Sequence, residues 1–362
     1  MIRKTLSELW LINALVWLQH KRRSSFKLFY HESAERGNMA VTIKDVAKRA
    51  GVNASTVSRA IHNHSSISDK TKEKVKKAMA DLGYSRNSAA QMLASGKAGA
   101  IGVIFPPIAN KSEQPFFMKI LTAINEEARE NKITVSIASG HTNEELLSQV
   151  RVMYQEKRVD GFIVLYAGEA DDVRNYLLAD EIPFVIVGTP IERANEITAV
   201  DNDNKLMGAE AAQYLASLGH KKLTFVTNTD QSEVFRERYR GFADKVQALG
   251  LSGQLLNTTE QLTKGGATAL VVLDDILAIK VIQGLTERGI TVPDDISVIS
   301  FNNSVFASLI HPYLTTFDIN ITQLGHRSVQ KLLHLLADPD DFKEKVTVPF
   351  ELKVRESTKA VD

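Results

Sequence analysis

The chain has 362 residues, of which 44% are hydrophobic and 24% charged, as in ordinary soluble globular proteins with two or three domains. It has no cysteine, which excludes disulfides, thiol catalysis and cysteine–metal sites and fits a reducing cytoplasm. The net charge of +1 conceals an uneven distribution. Residues 39–97 contain 11 Lys and Arg against 4 Asp and Glu, residues 1–38 contain 7 against 3, and the remainder contains 26 against 36. A small basic unit is therefore joined to a large acidic one, and the basic unit suits a polyanion.

Residues 1–38 lack the regular pattern of the sequence that follows them. Their apolar run, LWLINALVWL, has about half of the roughly 20 residues that span a bilayer, and no cleavage motif of the A-x-A type follows it. Met39 stands directly before the first regular pattern. We therefore expect residues 1–38 to lie outside the fold, as they would if translation began at Met39. An accessory amphipathic helix is the alternative.

The stretch VTIKDVAKRAGVNASTVSRAIHN (residues 41–63) predicts two short helices joined by a tight turn. Between residues 43 and 50 the apolar side chains recur at i, i+3, i+4 and i+7, which is the stripe of an amphipathic helix. Thr42 and Asp45 occupy the two positions of a capping box, and Gly51 stands where the first helix must end.

The second helix, capped by Asn53, would bury Val57, Ala60 and Ile61 and expose short polar side chains with one arginine. The residues expected on that exposed face are Ala54, Ser55, Thr56, Ser58 and Arg59. Such a face suits the major groove, where these groups meet base edges and phosphates. A lysine-rich third helix, capped by Ser68, follows. The pattern predicts a DNA-binding helix-turn-helix, with a protein-binding three-helix bundle as the alternative.

The segment TIKDVAKRAGVNASTVSRAIHN resembles the DNA-binding headpiece of the lactose-repressor/galactose-repressor family of bacterial transcription regulators, and SISDKTKEKVKKAMADLGYSRNSAAQMLASGK resembles its third helix and hinge. The likeness continues to about residue 357. It implies that residues 88–96 form a hinge helix in the minor groove, where Leu93 wedges between base steps. An ordinary interdomain linker is the alternative there, since so short an isolated helix is marginal in water. The DNA-binding residues implied are Thr42, Asn53, Ala54, Ser55, Thr56, Ser58, Arg59, Asn63, Tyr84, Asn87, Ala90 and Leu93.

From residue 99 onward, short apolar runs alternate with helical patterns, which predicts βαβ units and parallel sheets. The runs expected as buried strands are AIGVIF, ITVSIA, DGFIVL and PFVIV in a first set and KKLTFVT, ATALVVL and ISVISF in a second. Two sets predict two similar lobes. By resemblance, this body has the two-lobed type I periplasmic-binding-protein architecture, and the chain crosses between lobes near residues 188–202, 301–304 and 314–319. The stretch 251–270 is shorter than the corresponding family segment, so the second lobe is expected to be trimmed there.

The fold class is therefore an N-terminal all-α helix-turn-helix headpiece with a hinge helix, followed by a two-lobed α/β body with parallel sheets. We expect an N-terminal extension at 1–38, a helix-turn-helix domain at 39–85, a hinge helix or linker at 86–98, a two-lobed effector-binding and dimerisation domain at 99–357 and a tail at 358–362.

In such sheets, ligands bind at the carboxyl ends of strands, between the lobes. By resemblance, Arg238 in RYRG matches the family's Arg-x-x-Gly effector motif, and Asp275 in LDDILA matches its effector-binding aspartate. The guanidinium and the carboxylate can each hold paired sugar hydroxyls. The alternatives are an ion pair for Arg238, a helix cap for Asp275, and core packing for Phe117 and Phe301. The expected effector-binding residues are Phe117, Tyr166, Asp201, Arg238, Asp275, Phe301 and Asn302, with Phe105 and Asn202 at the same edge.

Within the family, the body is most similar to the maltose-operon repressors of Gram-positive bacteria, through EQPFFMKILTAINEEA, DGFIVLY, DNDNKLMG and FNNSVFASLIHPYLTTFDIN. This implies a cytoplasmic, nucleoid-associated repressor of carbohydrate-utilisation genes, released from near-palindromic operator DNA by a sugar inducer, maltose or a short maltodextrin. One alternative is a catabolite-control regulator whose DNA binding is strengthened by a phosphorylated carrier protein. A sugar-binding protein without a DNA role is another, and it leaves the headpiece unexplained.

We expect no enzyme, no cofactor, no metal and no membrane partner. The sequence has no Gly-rich phosphate loop, no H-E-x-x-H and no G-x-S-x-G motif. After FELKVRES only TKAVD remains, so the leucine heptads that make some family members tetramers are absent. A homodimer is therefore the expected assembly.

Overall fold

The computed structural model describes residues 41–61, 63–84, 96–107, 115–166, 171–228, 232–257, 262 and 266–361. The chain divides into two compact units, of which the first ends at Gln91 and the second begins at Met92. The expected N-terminal extension lies outside these ranges, and so do Asn87, Ala90 and Leu93 of the expected hinge. In the part of the chain that is described, no helix combines the length and the apolar character needed to cross a membrane.

The first unit consists of three helices around a small core. They are α1 (Ile43–Ala50), α2 (Ala54–Ile61) and α3 (Asp69–Leu82). Each helix contributes one valine that is at most 1% exposed, and these are Val46, Val57 and Val75. Ala60 and Ile61, expected in this core, are only half-buried, because a core of six small side chains does not cover the whole width of α2.

The helix boundaries follow from side-chain caps that were legible in the sequence. The backbone N–H of Thr42 donates to the Asp45 carboxylate at 2.8 Å, as in the predicted capping box. Gly51 ends α1 in the left-handed region with φ +65°, a conformation that costs glycine no steric strain. The Ser68 hydroxyl accepts from the backbone N–H of Thr71 at the start of α3.

The second unit contains twelve described strands in two six-stranded sheets. The strands are β1 (Ala100–Ile104), β2 (Thr134–Ala138), β3 (Phe162–Val164), β4 (Phe184–Val187), β5 (Thr198–Asp201), β6 (Lys222–Val226), β7 (Ser252–Leu256), β8 (Ala269–Val272), β9 (Ser297–Phe301), β10 (Thr315–Asp318), β11 (Lys345–Thr347) and β12 (Glu351–Lys353). The strand order is β11-β5-β4-β3-β1-β2 in the first sheet and β12-β10-β9-β8-β6-β7 in the second. All pairs are parallel except β10 with β12. The two predicted lobes are therefore present, with the same strand order in each.

Seven described helices cover the sheets. They are α4 (Pro115–Glu130), α5 (Asn143–Gln155), α6 (Asp172–Ala179), α7 (Asn204–Ser217), α8 (Glu233–Ala248), α9 (Asp275–Glu287) and α10 (Ile321–Ala337). The helix α10 packs on α4 and on β3, β4 and β5, so it belongs to the first lobe although it follows the strands of the second.

The lobe crossings differ in one place from those expected. The chain leaves the first lobe between β5 and α7 and returns between β10 and α10, near the expected positions. The third crossing lies at residues 348–350, because β11 pairs with β5 and β12 pairs with β10. The crossing expected at 301–304 is wrong, since β9 and β10 on either side of that segment pair with each other in one sheet.

Two further expectations are corrected, on strand β2 and on the C-terminal tail, and the trimming expected at 251–270 stays a prediction. The run ITVSIA forms β2, but Ile137 is 48% exposed because β2 is an edge strand of the first sheet. The expected trimming at 251–270 spares strand β7, and residues 258–261 and 263–265 lie outside the described ranges. The expected tail packs on the second lobe instead, where the Val361 N–H donates to the Leu218 carbonyl at 2.8 Å.

Candidate functional site

The exposed face of α2 begins with a hydrogen-bond network around Asn53. Its side-chain oxygen accepts from the Thr56 backbone N–H at 2.7 Å, the Thr56 hydroxyl at 2.7 Å and the Ser55 hydroxyl at 2.8 Å. The N-cap predicted for Asn53 is confirmed, and it also orients two expected base-reading hydroxyls. Both hydroxyls donate their protons to the Asn53 oxygen, so their own lone pairs are available to donors such as amino groups at base edges. Arg59, one turn further on, is exposed.

The other expected DNA-binding residues in the described ranges occupy different environments. Ala54 is half-buried and packs against the core, which corrects the expectation that it belongs to the exposed face. Tyr84 is likewise half-buried against this core. The Thr42 hydroxyl donates to Asp45 at 2.7 Å. Asn63 is exposed in the left-handed region with φ 52°, and Ser58 is half-buried.

A basic surface on α3 accompanies this face within the same unit. Its exposed lysines are Lys70, Lys74, Lys76 and Lys77. Lys72 is half-buried and lies 3.5 Å from the Asp69 carboxylate. Four exposed ammonium groups on one short helix are typical of a surface that contacts phosphates.

In the second unit, a cleft lies between the lobes at the carboxyl ends of the strands. Its inner chamber, about 180 Å³, is lined from the first lobe by Phe117, Leu165, Tyr166, Val187 and Asp201 and from the second by Ser232, Arg238, Leu273, Asp274 and Asn302, among others. An outer chamber of about 590 Å³ shares Phe116, Asp274 and Asn302 with it. Six of the seven expected effector-binding residues therefore line the cleft, with Asp275 at the outer chamber and the other five at the inner one, namely Phe117, Tyr166, Asp201, Arg238 and Asn302.

Arg238 is fixed at the inner chamber by the packing of α8 on α7. A Cβ on Gly241 would lie 1.8 Å from the Lys205 carbonyl oxygen, so only glycine permits this close approach. The approach lets the Arg238 Nε donate to the Asn204 side chain at 3.0 Å and its Nη1 to the Leu273 carbonyl at 2.8 Å. The spacing of RYRG therefore has a physical basis, since the glycine positions the arginine one turn earlier.

Phe301 does not line the cleft, which corrects the expectation that it contacts the effector. The Arg238 guanidinium carbon lies 4.3 Å above the centre of its ring, and the ring is 0% exposed and stacked on Phe317. The aromatic face therefore supports the arginine from behind by a cation–π contact. Phe105, also expected at this edge, lies outside the inner chamber lining and packs against Phe117 at 5.5 Å between ring centres.

The adjacent residues Asp274 and Asp275 have different environments. The sequence analysis predicted the less accessible of the two, Asp275, to bind the effector. Asp275 is 1% exposed, and its carboxylate accepts from the Ser300 hydroxyl at 2.6 Å, the Thr316 hydroxyl at 2.7 Å and the Ser304 N–H at 2.5 Å. Burial raises its pKa, although these hydrogen bonds oppose the shift. With its oxygens engaged by the second lobe, Asp275 is poorly placed to hold a ligand.

Asp274, which the sequence interpretation did not select, lines both chambers. One of its oxygens accepts from the Leu277 N–H at 2.8 Å and caps α9. A capping carboxylate uses one oxygen and leaves further lone pairs on the other. Asp274 is therefore a carboxylate that the second lobe presents to both chambers, whereas Glu233 lines the inner chamber alone.

The first lobe contributes polar groups whose pKa values are raised. Burial raises the pKa of Asp201, whose carboxylate accepts from the Thr189 hydroxyl at 2.8 Å and the Asn204 amide at 3.1 Å. Burial, with the charge of Asp171, also raises the pKa of Tyr166. The phenol of Tyr166 stays protonated and donates to the Asp171 carboxylate, so its oxygen can accept a hydrogen bond from a ligand hydroxyl.

Asn202 connects all three crossings between the lobes. It begins the first crossing, and its side-chain amide donates to the carbonyl of Ile319 at 3.0 Å in the second and to the carbonyl of Val348 at 2.9 Å in the third. It also lines the inner chamber. A ligand in this chamber therefore lies directly beside the hinge of the two lobes.

Comparisons with known proteins agree with both units. A model of the bacterial regulatory proteins, lacI family, matches residues 42–87, and a model of the periplasmic binding protein-like domain matches residues 212–358. The HTH-type transcriptional regulator MalR of Streptococcus pneumoniae is 33% identical over 326 residues, which are 84% of this chain and 96% of that protein.

Two solved structures show the same similarity. The lac repressor dimer bound to operator and an anti-inducer has a TM-score of 0.74 at 27% identity, covering 88% of this chain and 99% of its own. A probable maltose operon transcriptional repressor from Staphylococcus aureus has a TM-score of 0.66 at 26% identity, covering 72% of this chain and 98% of its own. The chain is a DNA-binding transcriptional regulator and belongs to the lacI family of bacterial regulatory proteins.

Proposed function

We propose that this regulator represses carbohydrate-utilisation genes and that a sugar bound between the lobes releases it from operator DNA. The observation that carries the proposal is the composition of the inner chamber. It combines a fixed guanidinium, carboxylates and an amide with aromatic side chains, and no lysine is among the described residues that line it. Charged groups hold the paired hydroxyls of a sugar, and aromatic rings cover its CH face.

Arg238 and Asp274, both from the second lobe, are the two residues that we assign to the sugar hydroxyls. Tyr166 and Phe117 come from the first lobe, so a sugar in contact with all four would hold the lobes in one relative position. Asn202 lies beside the same chamber, where the chain crosses between the lobes. Sugar binding would therefore change the relative position of the two lobes.

Maltose or a short maltodextrin is our specific proposal for the inducer. The outer chamber adjoins the inner one and is lined by Lys119, Thr122, Asn303 and Arg355 among others, which offers polar contacts to a second sugar ring. The similarity to a probable maltose operon repressor supports this choice over a monosaccharide.

The active form is proposed to be a homodimer that binds two half-sites of a near-palindromic operator. Large apolar side chains are exposed beside the outer chamber, where Met118 is 64% exposed, Val305 60% and Leu309 65%. Such a cluster on one surface is typical of a protein interface. Sedimentation of the full chain should give a dimer, and a monomer at micromolar concentration would contradict the assignment.

The experiment that tests the function is operator footprinting followed by a sugar panel. Maltose, maltotriose, glucose, trehalose and sucrose are titrated against the protein–operator complex and, by calorimetry, against the protein alone. We expect maltose or maltotriose to bind and to lower operator affinity. Arg238→Ala should abolish the heat of sugar binding and keep the operator complex. Arg240→Ala, on the same helix but with a side chain 67% exposed, is the matched control and should bind sugar normally.

The catabolite-control alternative predicts the opposite sign. A phosphorylated carrier protein would then raise operator affinity, and no sugar alone would lower it. If another sugar binds and maltose does not, the repressor assignment remains and the inducer assignment is wrong. Sugar binding by Arg238→Ala at the parent affinity would refute the assignment of the chamber.

A further inference from the structure

Glu233 is a carboxylate of the inner chamber that has no partner among the described residues. It is the first residue of α8, next to Ser232, whose hydroxyl caps the helix by accepting from the Phe235 N–H at 3.3 Å. Glu233 is half-buried and lines the inner chamber, so part of its side chain is accessible to a ligand there. Within the described ranges its carboxylate makes no ion pair and accepts no hydrogen bond.

The neighbouring carboxylate on α8 has a different environment. Glu237, one turn further on, lies 3.4 Å from the Arg240 guanidinium and is outside the lining of both chambers. Burial, with the charge of Glu237, raises the pKa of Glu233. Polar groups that are withdrawn from water are nearly always paired in folded proteins, because an unpaired one is costly. The donors that Glu233 lacks are therefore those that a molecule bound in the chamber would supply.

The accessible polar groups of the inner chamber are mainly acceptors. Besides Glu233, the second oxygen of Asp274 and the phenolic oxygen of Tyr166 can accept from a ligand. Arg238 is the one cation among the described residues that line the chamber, and two of its N–H groups already donate to the protein. With the carboxylates of Glu233 and Asp274 against a single guanidinium, the chamber favours ligands that bring protons to donate and carry no negative charge.

We propose that Glu233 determines which sugars the inner chamber accepts, by receiving hydrogen bonds from a hydroxyl or amino group of the ligand and by repelling acidic sugars. The inference rests on the proposed function, since it names the class of sugar that fits the same chamber. A hydroxyl or an ammonium group donates to the carboxylate, whereas a ligand carboxylate or phosphate beside it meets a like charge. Rejection of the wrong ligand contributes to specificity as much as attraction of the right one. Neutral sugars and amino sugars therefore bind, and uronic acids and sugar phosphates are excluded.

The test compares maltose and three monosaccharides that share one ring, all on the full chain. Glucose is neutral, glucosamine carries an ammonium group in place of one hydroxyl, and glucuronate carries a carboxylate in place of the CH₂OH group. Calorimetry measures maltose, and ligand-observed NMR at millimolar concentrations measures the monosaccharides. We expect glucosamine to bind at least as tightly as glucose, and glucuronate to bind about tenfold more weakly than glucose, the effect of one lost hydrogen bond.

Variants of α8 assign this selectivity to one side chain. Glu233→Gln keeps the shape of the side chain and an acceptor oxygen but removes the charge. It should weaken maltose and glucose by about threefold and glucosamine by about tenfold, and glucuronate should no longer bind more weakly than glucose. Glu233→Ala should weaken maltose by about tenfold. Glu237→Gln is the matched control on the same helix and should leave the affinities unchanged, because its side chain lies outside both chambers.

The possible failures can be told apart. The role of Glu233 is overturned, and the sugar site remains, if glucuronate binds the parent as tightly as glucose. The same follows if Glu233→Gln leaves the ratio of glucosamine to glucuronate affinity unchanged, or if Glu233→Ala binds maltose at the parent affinity. Circular dichroism of each variant confirms that it is folded. If none of the four sugars binds the parent, the proposed function itself is contradicted, and the role of Glu233 with it.

Discussion

Truncation of Asp275 should destabilise the second lobe far more than truncation of its neighbour Asp274. In Asp275→Ala, three donors lose their acceptor, namely the hydroxyls of Ser300 and Thr316 and the N–H of Ser304. Each buried donor left unsatisfied costs about 1–3 kcal/mol. Because the two hydroxyls can rotate toward other acceptors, we expect a total of about 3–6 kcal/mol, a large share of the roughly 5–15 kcal/mol that stabilises a protein.

Asp274→Ala removes a single hydrogen bond to the Leu277 N–H at the start of α9. Loss of an N-cap costs about 1 kcal/mol. The two variants differ by one position and by about 2–5 kcal/mol in the expected loss of stability. Their effects on sugar binding should be reversed, since Asp274 presents its free oxygen to both chambers.

Urea denaturation followed by circular dichroism measures the first difference, and calorimetry with maltose measures the second. Asp275→Asn serves as a control, because its amide oxygen can accept from Ser304 and its NH₂ can donate to the two hydroxyls. We expect it to fold and to bind sugar. An Asp275→Ala protein within about 0.5 kcal/mol of the parent would refute the argument that these donors depend on the carboxylate.

Three further predictions concern single residues elsewhere. Arg59→Ala should weaken operator binding. If the Arg59 side chain contacts a phosphate, the slope of log affinity against log salt concentration should also decrease by about 1. An unchanged slope together with an altered base preference in a site selection would show that Arg59 contacts a base instead. Asn53→Ala should lower the free energy of unfolding of the headpiece by about 1 kcal/mol, which thermal denaturation of the first unit would detect, and Asn53→Ser should restore most of it. Burial lowers the pKa of His220 below its usual value, so the unfolded chain binds this proton more readily and stability falls as pH drops below about 6.5. The difference between the urea midpoints at pH 7.5 and pH 5.5 should be larger in the parent than in His220→Gln. Equal differences would contradict the claim that the protonation of His220 lowers stability.

The helix-turn-helix could be predicted almost completely because its determinants are local. The caps at Thr42, Asn53 and Ser68 and the turn at Gly51 each depend on residues within three or four positions. The apolar stripe of α1 gives its buried face directly. Ala54 was wrongly predicted to lie on the exposed face. In a helix of only eight residues, the boundary between the buried and exposed faces is difficult to locate from the sequence.

The body shows where local patterns are insufficient. Runs of apolar residues predicted the strands, but the exposure of β2 depends on its position at the end of the sheet, which no run encodes. The pairing of β11 with β5 joins segments about 146 residues apart, and it moves the third crossing to residues 348–350. Short strands of three residues, such as β11 and β12, leave no periodic signal.

The effector residues were predictable as a group and not individually. Arg238 was predicted from the resemblance of RYRG to the family's Arg-x-x-Gly motif, and the contact of Gly241 with Lys205 explains the glycine of that motif. The choice between Asp274 and Asp275 depends on which carboxylate meets Ser300 and Thr316, and those residues belong to other strands. Sequence adjacency cannot distinguish an inward from an outward carboxylate at the first turn of a helix.

The position of Asn202 explains how one small ligand can act on the whole body. The segments that it joins, at Ile319 and Val348, are 117 and 146 residues away in sequence and belong to neither sheet. Since the chain crosses between the lobes at these segments, we expect rotation of one lobe against the other to pivot close to these hydrogen bonds. Asp201 precedes this residue and accepts the N–H of Asn202 at 2.8 Å, so a ligand that contacts the Asp201 carboxylate acts at the pivot itself. A small rotation at this point moves the far end of each lobe by a larger distance. A ligand inside the cleft can therefore change the relative position of surfaces far from it.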